Sequence, residues 1–143
     1  MTRRVAHGQL VVRTVPGIEL ERIAAHRDVR AGAAAAALAL DGGGAIDSAI
    51  RRRTPAMQVS RAFYSRRGLA LGPGSGHLDF DDLEHELGLS RTFRVYVDPG
   101  APVHELVDEL LAIDEVDAAS PAYLCETPFS DGPPAPGAVD HAR

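Results

Sequence analysis

With 143 residues, 45% of them apolar, the chain is long enough for one domain with a modest core, and no apolar run approaches the roughly 20 residues of a membrane-spanning helix. Its single cysteine, Cys125, excludes an internal disulfide and gives no framework for a structural zinc site. The net charge of −5 hides a split: twelve arginines stand against five acids up to Arg67, then three against fifteen from Gly68 onward.

Gln9 to Val15 reads as a strand, with Leu10, Val11, Val12 and Val15 apolar, ended by Pro16-Gly17. Ile18 to Arg27 fits a helix carrying Leu20, Ile23 and Ala24 on one side, and Ala31 to Leu40 is compatible with a helix on propensity alone. Gly42-Gly43-Gly44 breaks the chain. A short helix is expected over Ala45–Arg53, stopped by Thr54-Pro55, and a second strand over Met57–Tyr64.

Leu71 to Gly76 is a loop by composition. Asp79 to Leu87 reads as a helix, with acids at its positive end, Leu83 and Leu87 four apart, and Gly88 placed to end it. Phe93, Val95 and Val97 alternate with Arg94 and Tyr96, the period of a half-buried strand, and Asp98-Pro99-Gly100 turns the chain. Pro102 suits a first helical turn. Val103, Leu106, Val107, Leu110 and Leu111 then form an apolar stripe at helical spacing. Val116 to Glu126 is the last expected strand, and the Pro/Gly-rich tail is expected to be disordered.

This order predicts an α+β fold: a ferredoxin-like βαββαβ antiparallel sheet with extra helices in the N-terminal half. The chain divides into a basic, Ala/Gly-rich part over residues 1–56, an α+β part over 57–129 and a tail over 130–143. Both main helices should lie on one sheet face, leaving the other for a partner.

The charge split has two readings: a nucleic-acid surface, or two halves that attract each other. Arg51-Arg52-Arg53 and Arg66-Arg67 are not interleaved with the aromatics that a single-strand binder stacks on bases, so nucleic acid is not an expected partner. The opening Met-Thr-Arg-Arg leads into Val5-Ala6-His7-Gly8 and not into a secretory signal, which sets the expectation of a cytoplasmic protein with no membrane partner.

The six histidines, His7, His26, His77, His85, His104 and His141, show no metal-ligand spacing. Cys125 has no neighbouring cation to lower its pKa and reads as a structural thiol. Asp81-Asp82 and Asp108-Glu109 fit capping and solvation better than acid–base work. The glycines at 42–44 and 72–76 are followed by no Gly-Lys-Ser/Thr, so they form no phosphate loop. No catalytic residue, metal or cofactor is expected, and the chain reads as a binding module and not an enzyme.

One segment has a familiar shape. Phe93 to Leu124, with Glu105-Leu106, Leu110, and then Val116, Ala119, Pro121, Tyr123 and Leu124, resembles the end of a subtilase prodomain over about a quarter of the chain. Gln9-Leu10-Val11-Val12-Arg13 before Pro16-Gly17 resembles the opening of such prodomains. Prodomains of that family assist folding of the protease and then inhibit it. Their sheet packs on protease helices, and their last residues lie in the active-site cleft.

Carried over, the resemblance makes Tyr123, Leu124, Cys125, Glu126 and Thr127 the cleft-bound segment, with Leu124 in an apolar pocket. The chain has no Asp-Thr-Gly, His-Gly-Thr or Gly-Thr-Ser-Met, so the implied partner is a subtilisin-like serine protease on a separate chain. The alternative is a ferredoxin-like adaptor or regulatory module that binds a peptide, ligand or subunit through its open sheet.

Overall fold

The computed structural model describes residues 3–16, 23–63 and 80–125. In chain order the elements are β1 (Arg3–Thr14), α1 (His26–Arg30), α2 (Ala45–Arg51), β2 (Met57–Arg61), α3 (Asp82–Glu86), a 3-10 turn (Leu89–Arg91), β3 (Thr92–Val97), α4 (Val103–Leu111) and β4 (Val116–Cys125). The strands form one sheet in the order β2-β3-β1-β4, and every neighbouring pair is antiparallel. It follows that β1 and β2 run parallel with β3 between them, and that β3 and β4 run parallel with β1 between them. The protein is α+β, and residues on both sides of position 56 build the same sheet.

Alternation along each strand sends one set of side chains into the core. Leu10 and Val12 of β1, Met57 and Val59 of β2, Phe93 and Val95 of β3 and Val116 of β4 all contribute. α2 adds Ile46, Ala49 and Ile50 to this cluster, and α4 adds Val103, Leu106, Val107 and Leu110. A single cluster joining both helices to four strands puts the two helices on one face of the sheet. Fully buried side chains such as Phe93 and Leu106 each stabilise the fold by about 1.5–3 kcal/mol.

The α4 stripe follows the i, i+3, i+4, i+7 spacing, but Leu111 lies outside it, half-exposed. α3 differs more. It spans fewer residues than its sequence pattern suggests, and it buries no side chain. Leu83 and Leu87 are 62% and 64% exposed. Polar groups hold this helix in place of an apolar stripe. Asp81 accepts from the Glu84 backbone N–H while Glu84 accepts from that of Asp81, a reciprocal cap. Gly88 ends the helix with φ +91°, a left-handed turn that its missing Cβ permits.

The buried Arg91 then ties this corner to the sheet. Its guanidinium donates to the carbonyls of His85 and Glu86 at the helix end and to that of Thr14 in β1. A cation at a helix C-terminus also meets the negative end of the dipole.

One expected helix is not there, and a second is described only in its last residues. Ala31–Leu40 is turns and bends, and Ala37 bridges to Val59 in both directions, its N–H donating at 2.9 Å and its carbonyl accepting at 2.7 Å. Of the expected Ile18–Arg27 helix, the described Ile23 and Ala24 are not helical and Ala25 bridges to Arg61, while His26 and Arg27 open α1. Alanine's preference for helix is a few tenths of a kcal/mol per residue, which pairing of an exposed sheet edge and burial of Ile23 and Leu40 outweigh. Leu20, Tyr64, the 71–76 loop and the tail lie outside the described residues.

The loop before α2 is built on two carboxylates. Buried Asp47 accepts from the N–H groups of Leu40 and Gly43, both at 2.7 Å, and from Asp41 at 3.4 Å. Asp41 accepts in turn from Gly44, Ile46 and Asp47 at 3.1, 2.8 and 3.0 Å. The Ile46 and Asp47 donors in the first turn of α2 are thus satisfied from upstream, although its N-cap is a glycine.

Candidate functional site

The segment singled out as partner-binding begins inside β4. Tyr123, Leu124 and Cys125 pair with Val5, Arg4 and Arg3 of β1, and Tyr123 is 42% exposed. Glu126 and Thr127 lie outside the described residues. This short ladder is set apart from the rest of β4. Between Val5↔Tyr123 and Leu10↔Pro121, four residues of β1, Ala6–Gln9, stand against Ala122 alone.

Such an insertion bends a strand and re-aims the side chains on either side of it. Gly8 makes it possible: it has φ +63°, and a Cβ there would lie 2.6 Å from the Val97 carbonyl oxygen. The bulge and the β3–α4 turn flank a shallow cleft of about 410 Å³, lined by Val5–Gly8, Ala101, Val103, His104 and Glu105 among others.

The two sheet edges are unlike. The outer edge of β2 is covered by the bridges from Ala25 and Ala37. Among the described residues no strand or bridge pairs with the outer edge of β4. Pro121 belongs on such an edge, because proline has no N–H to give to a neighbouring strand.

The sheet face opposite the core carries Gln9, Val11 and Arg13 of β1, Gln58 and Ser60 of β2, and Arg94 and Tyr96 of β3. The sequence pattern leaves this face open, but α1 covers its β2–β3 half. The His26 ring stacks on Tyr96 with centroids 5.8 Å apart and 17° between the planes. His26 Nδ1 lies 3.3 Å from Ser60 Oγ, and Nε2 lies 3.4 Å from Tyr96 Oη. Beside the stack is a cleft of about 390 Å³ whose lining includes Gln9, His26, Arg30, Gln58, Arg94 and Tyr96. Burial, and then the charges of Arg94 and Arg30, push the His26 pKa below its ordinary value.

The Ser60–His26 contact lacks what nucleophilic catalysis needs. The second ring nitrogen faces a phenol and not a carboxylate, and two arginines oppose the imidazolium that proton abstraction would create.

Other residues singled out in the sequence are placed apart from one another. His85 Nδ1 lies 2.5 Å from Ser90 Oγ at the α3 corner, and His104 is exposed on α4. Cys125 stands opposite Arg3 at the end of β4. Arg51 donates to the Leu38 carbonyl at 2.5 Å, and Arg53 pairs with Glu105 and Glu109. Among the described residues, no group of three or more His, Cys, Asp or Glu side chains is placed to hold a metal, and no helix is long and apolar enough to cross a membrane.

Sequence reasoning missed the cleft, whose residues lie 34 and 70 positions from His26 at Ser60 and Tyr96. The only sequence signal was the outward phase of Arg94 and Tyr96 in the β3 alternation.

No known protein family, no curated protein and no solved structure matches the chain.

Proposed function

We propose that this protein is a ferredoxin-like, prodomain-type binding module that engages a subtilisin-type serine protease as inhibitor and folding helper. The strand order β2-β3-β1-β4 with antiparallel neighbours supports the ferredoxin-like arrangement, since it interlocks two split βαβ units. The segment that resembles subtilase prodomains coincides with one of those units, β3–α4–β4.

The observation that carries the reading is the edge position of β4. Its outer edge has no partner strand among the described residues, and its last stretch of ladder, Tyr123–Cys125, leads into the segment assigned to the protease cleft. An extended segment of this kind binds a cleft edge by main-chain hydrogen bonds, with alternate side chains filling pockets. A module that binds the protease's folding transition state also lowers a barrier without joining in the chemistry. Neither role asks for a catalytic group, a metal or a cofactor.

The test is inhibition of peptide hydrolysis by a purified subtilase, together with the yield of its refolding from denaturant. The full chain should slow hydrolysis or raise the yield. Truncation after Cys125, which keeps the Arg3–Val5 ladder, and Leu124→Asp should both remove inhibition while circular dichroism stays unchanged. No inhibition and no change in refolding yield from the full chain would discard the proposal.

A further inference from the structure

The cleft beside the His26–Tyr96 stack gathers positive charge without a counter-charge. Arg30 reaches it from α1 and Arg94 from β3, and neither is ion-paired among the described residues. The rest of its lining is neutral: Gln9, Gln58, Ser60 and Tyr96 offer amide and hydroxyl groups, Val29 and Ala36 offer apolar surface, and no carboxylate is present. Several other described arginines find acids or carbonyls: Arg13 on Asp117, Arg53 on Glu105 and Glu109, Arg91 on three carbonyls.

The geometry points to an anion-binding site: a small molecule bearing a phosphate or carboxylate group sits in this cleft, its charged oxygens between Arg30 and Arg94. The volume is of the order that encloses a small ligand. Guanidinium groups are suited to such oxygens because their planar N–H forks bind two at once. Gln9 and Gln58 supply neutral donors on the sheet side, and the stacked rings of His26 and Tyr96 form a wall that a flat ligand body packs against. An anion there also relieves the repulsion among His26, Arg30 and Arg94. The groups facing His26 are Arg30 on its own helix, Arg94 and Tyr96 on β3, and Ser60 on β2. Bound anion therefore raises the pH at which the imidazole gains its proton. No residue of β4 lines the cleft, so this inference stands apart from the protease reading.

The test is a titration of the full-length protein with inorganic phosphate and, separately, with acetate, at constant ionic strength, followed by amide and imidazole NMR signals. Saturable shifts at Gln58, Ser60 and Tyr96, with a rise in the His26 titration midpoint, are expected. Saturation by phosphate alone supports a phosphate-bearing ligand, and saturation by both supports a carboxylate-bearing one as well. Arg94→Gln should weaken binding by about tenfold or more, the loss of one charge-assisted contact. Arg30→Gln, on a solvent-exposed helix position, tests the same loss without touching the sheet, and Arg52→Gln should leave binding unchanged. Shifts that never saturate, or wild-type affinity in the Arg30 and Arg94 variants, would overturn the assignment.

Discussion

Arg53, just past the end of α2, forms an ion pair of 2.8 Å with Glu105 on α4, and the same guanidinium binds Glu109 one turn further on. The basic half of the sequence thereby grips the acidic half, across the two helices that cover the core. The pair is solvent-exposed, so Arg53→Ala should lower the urea midpoint only slightly, and added salt should shrink the difference. The pH dependence has a defined sign. The hydrogen bond from Arg53, acting against burial, holds the Glu109 pKa below the usual range. Its contribution is thus present above the unfolded pKa of glutamate and lost as pH falls through the depressed folded value. Wild type and variant should converge in acid.

Asp47 is the buried centre of the turn before α2. Replacing it with alanine strands the buried N–H group of Leu40 and removes the contact with Gly43, and that costs about 1–3 kcal/mol. Equilibrium unfolding in urea measures this. A loss no larger than that of an exposed aspartate such as Asp108 would contradict the role given to the turn.

Gly8 allows β1 to bulge while lying against the end of β3. Gly8→Ala forces a side chain into the left-handed region and against the Val97 carbonyl, at a cost of about 1–3 kcal/mol. Amide shifts should concentrate at Val97, Asp98 and the Val5–Tyr123 ladder. A variant as stable as wild type with an unchanged spectrum would show that the bulge does not depend on glycine.

His26 offers a second pH test. Its pKa is lowered from the ordinary 6.5, first by burial and then by Arg94 and Arg30. The unfolded chain therefore takes up its proton at higher pH than the folded one. The stability that His26 contributes is complete above about 6.5 and declines as pH falls through the lower folded value. Imidazole NMR should give a midpoint below 6.5 in the wild type and a higher one in Arg94→Gln. A wild-type midpoint at or above 6.5 would remove the burial argument.

Where periodicity and turn chemistry agreed, the sequence was legible. β3, α4 and β4 follow the expected Phe93–Val97, Val103–Leu111 and Val116–Glu126 closely, because alternating and helical apolar spacings adjoin with Asp98-Pro99-Gly100 between the first two. The Gly88 stop and the acidic start of α3 were legible for the same reason: both are local chemistry. Ala31–Leu40 was not, because alanine favours a helix only weakly, and the covering of the β2 edge was decided by a strand some twenty residues away.

The amino-acid order alone determined the class of fold, the core faces of the central strands and the α2 and α4 helices, since these depend on contacts a few residues apart. Tertiary structure alone decided that α1 lies over the outer sheet face, that Arg30 and Arg94 share one cleft with His26, and that β4 is the edge strand among the described residues. Each of those rests on residues tens of positions apart, brought together by strand pairing. Pairing depends on the sum of many weak contacts, which no local pattern records.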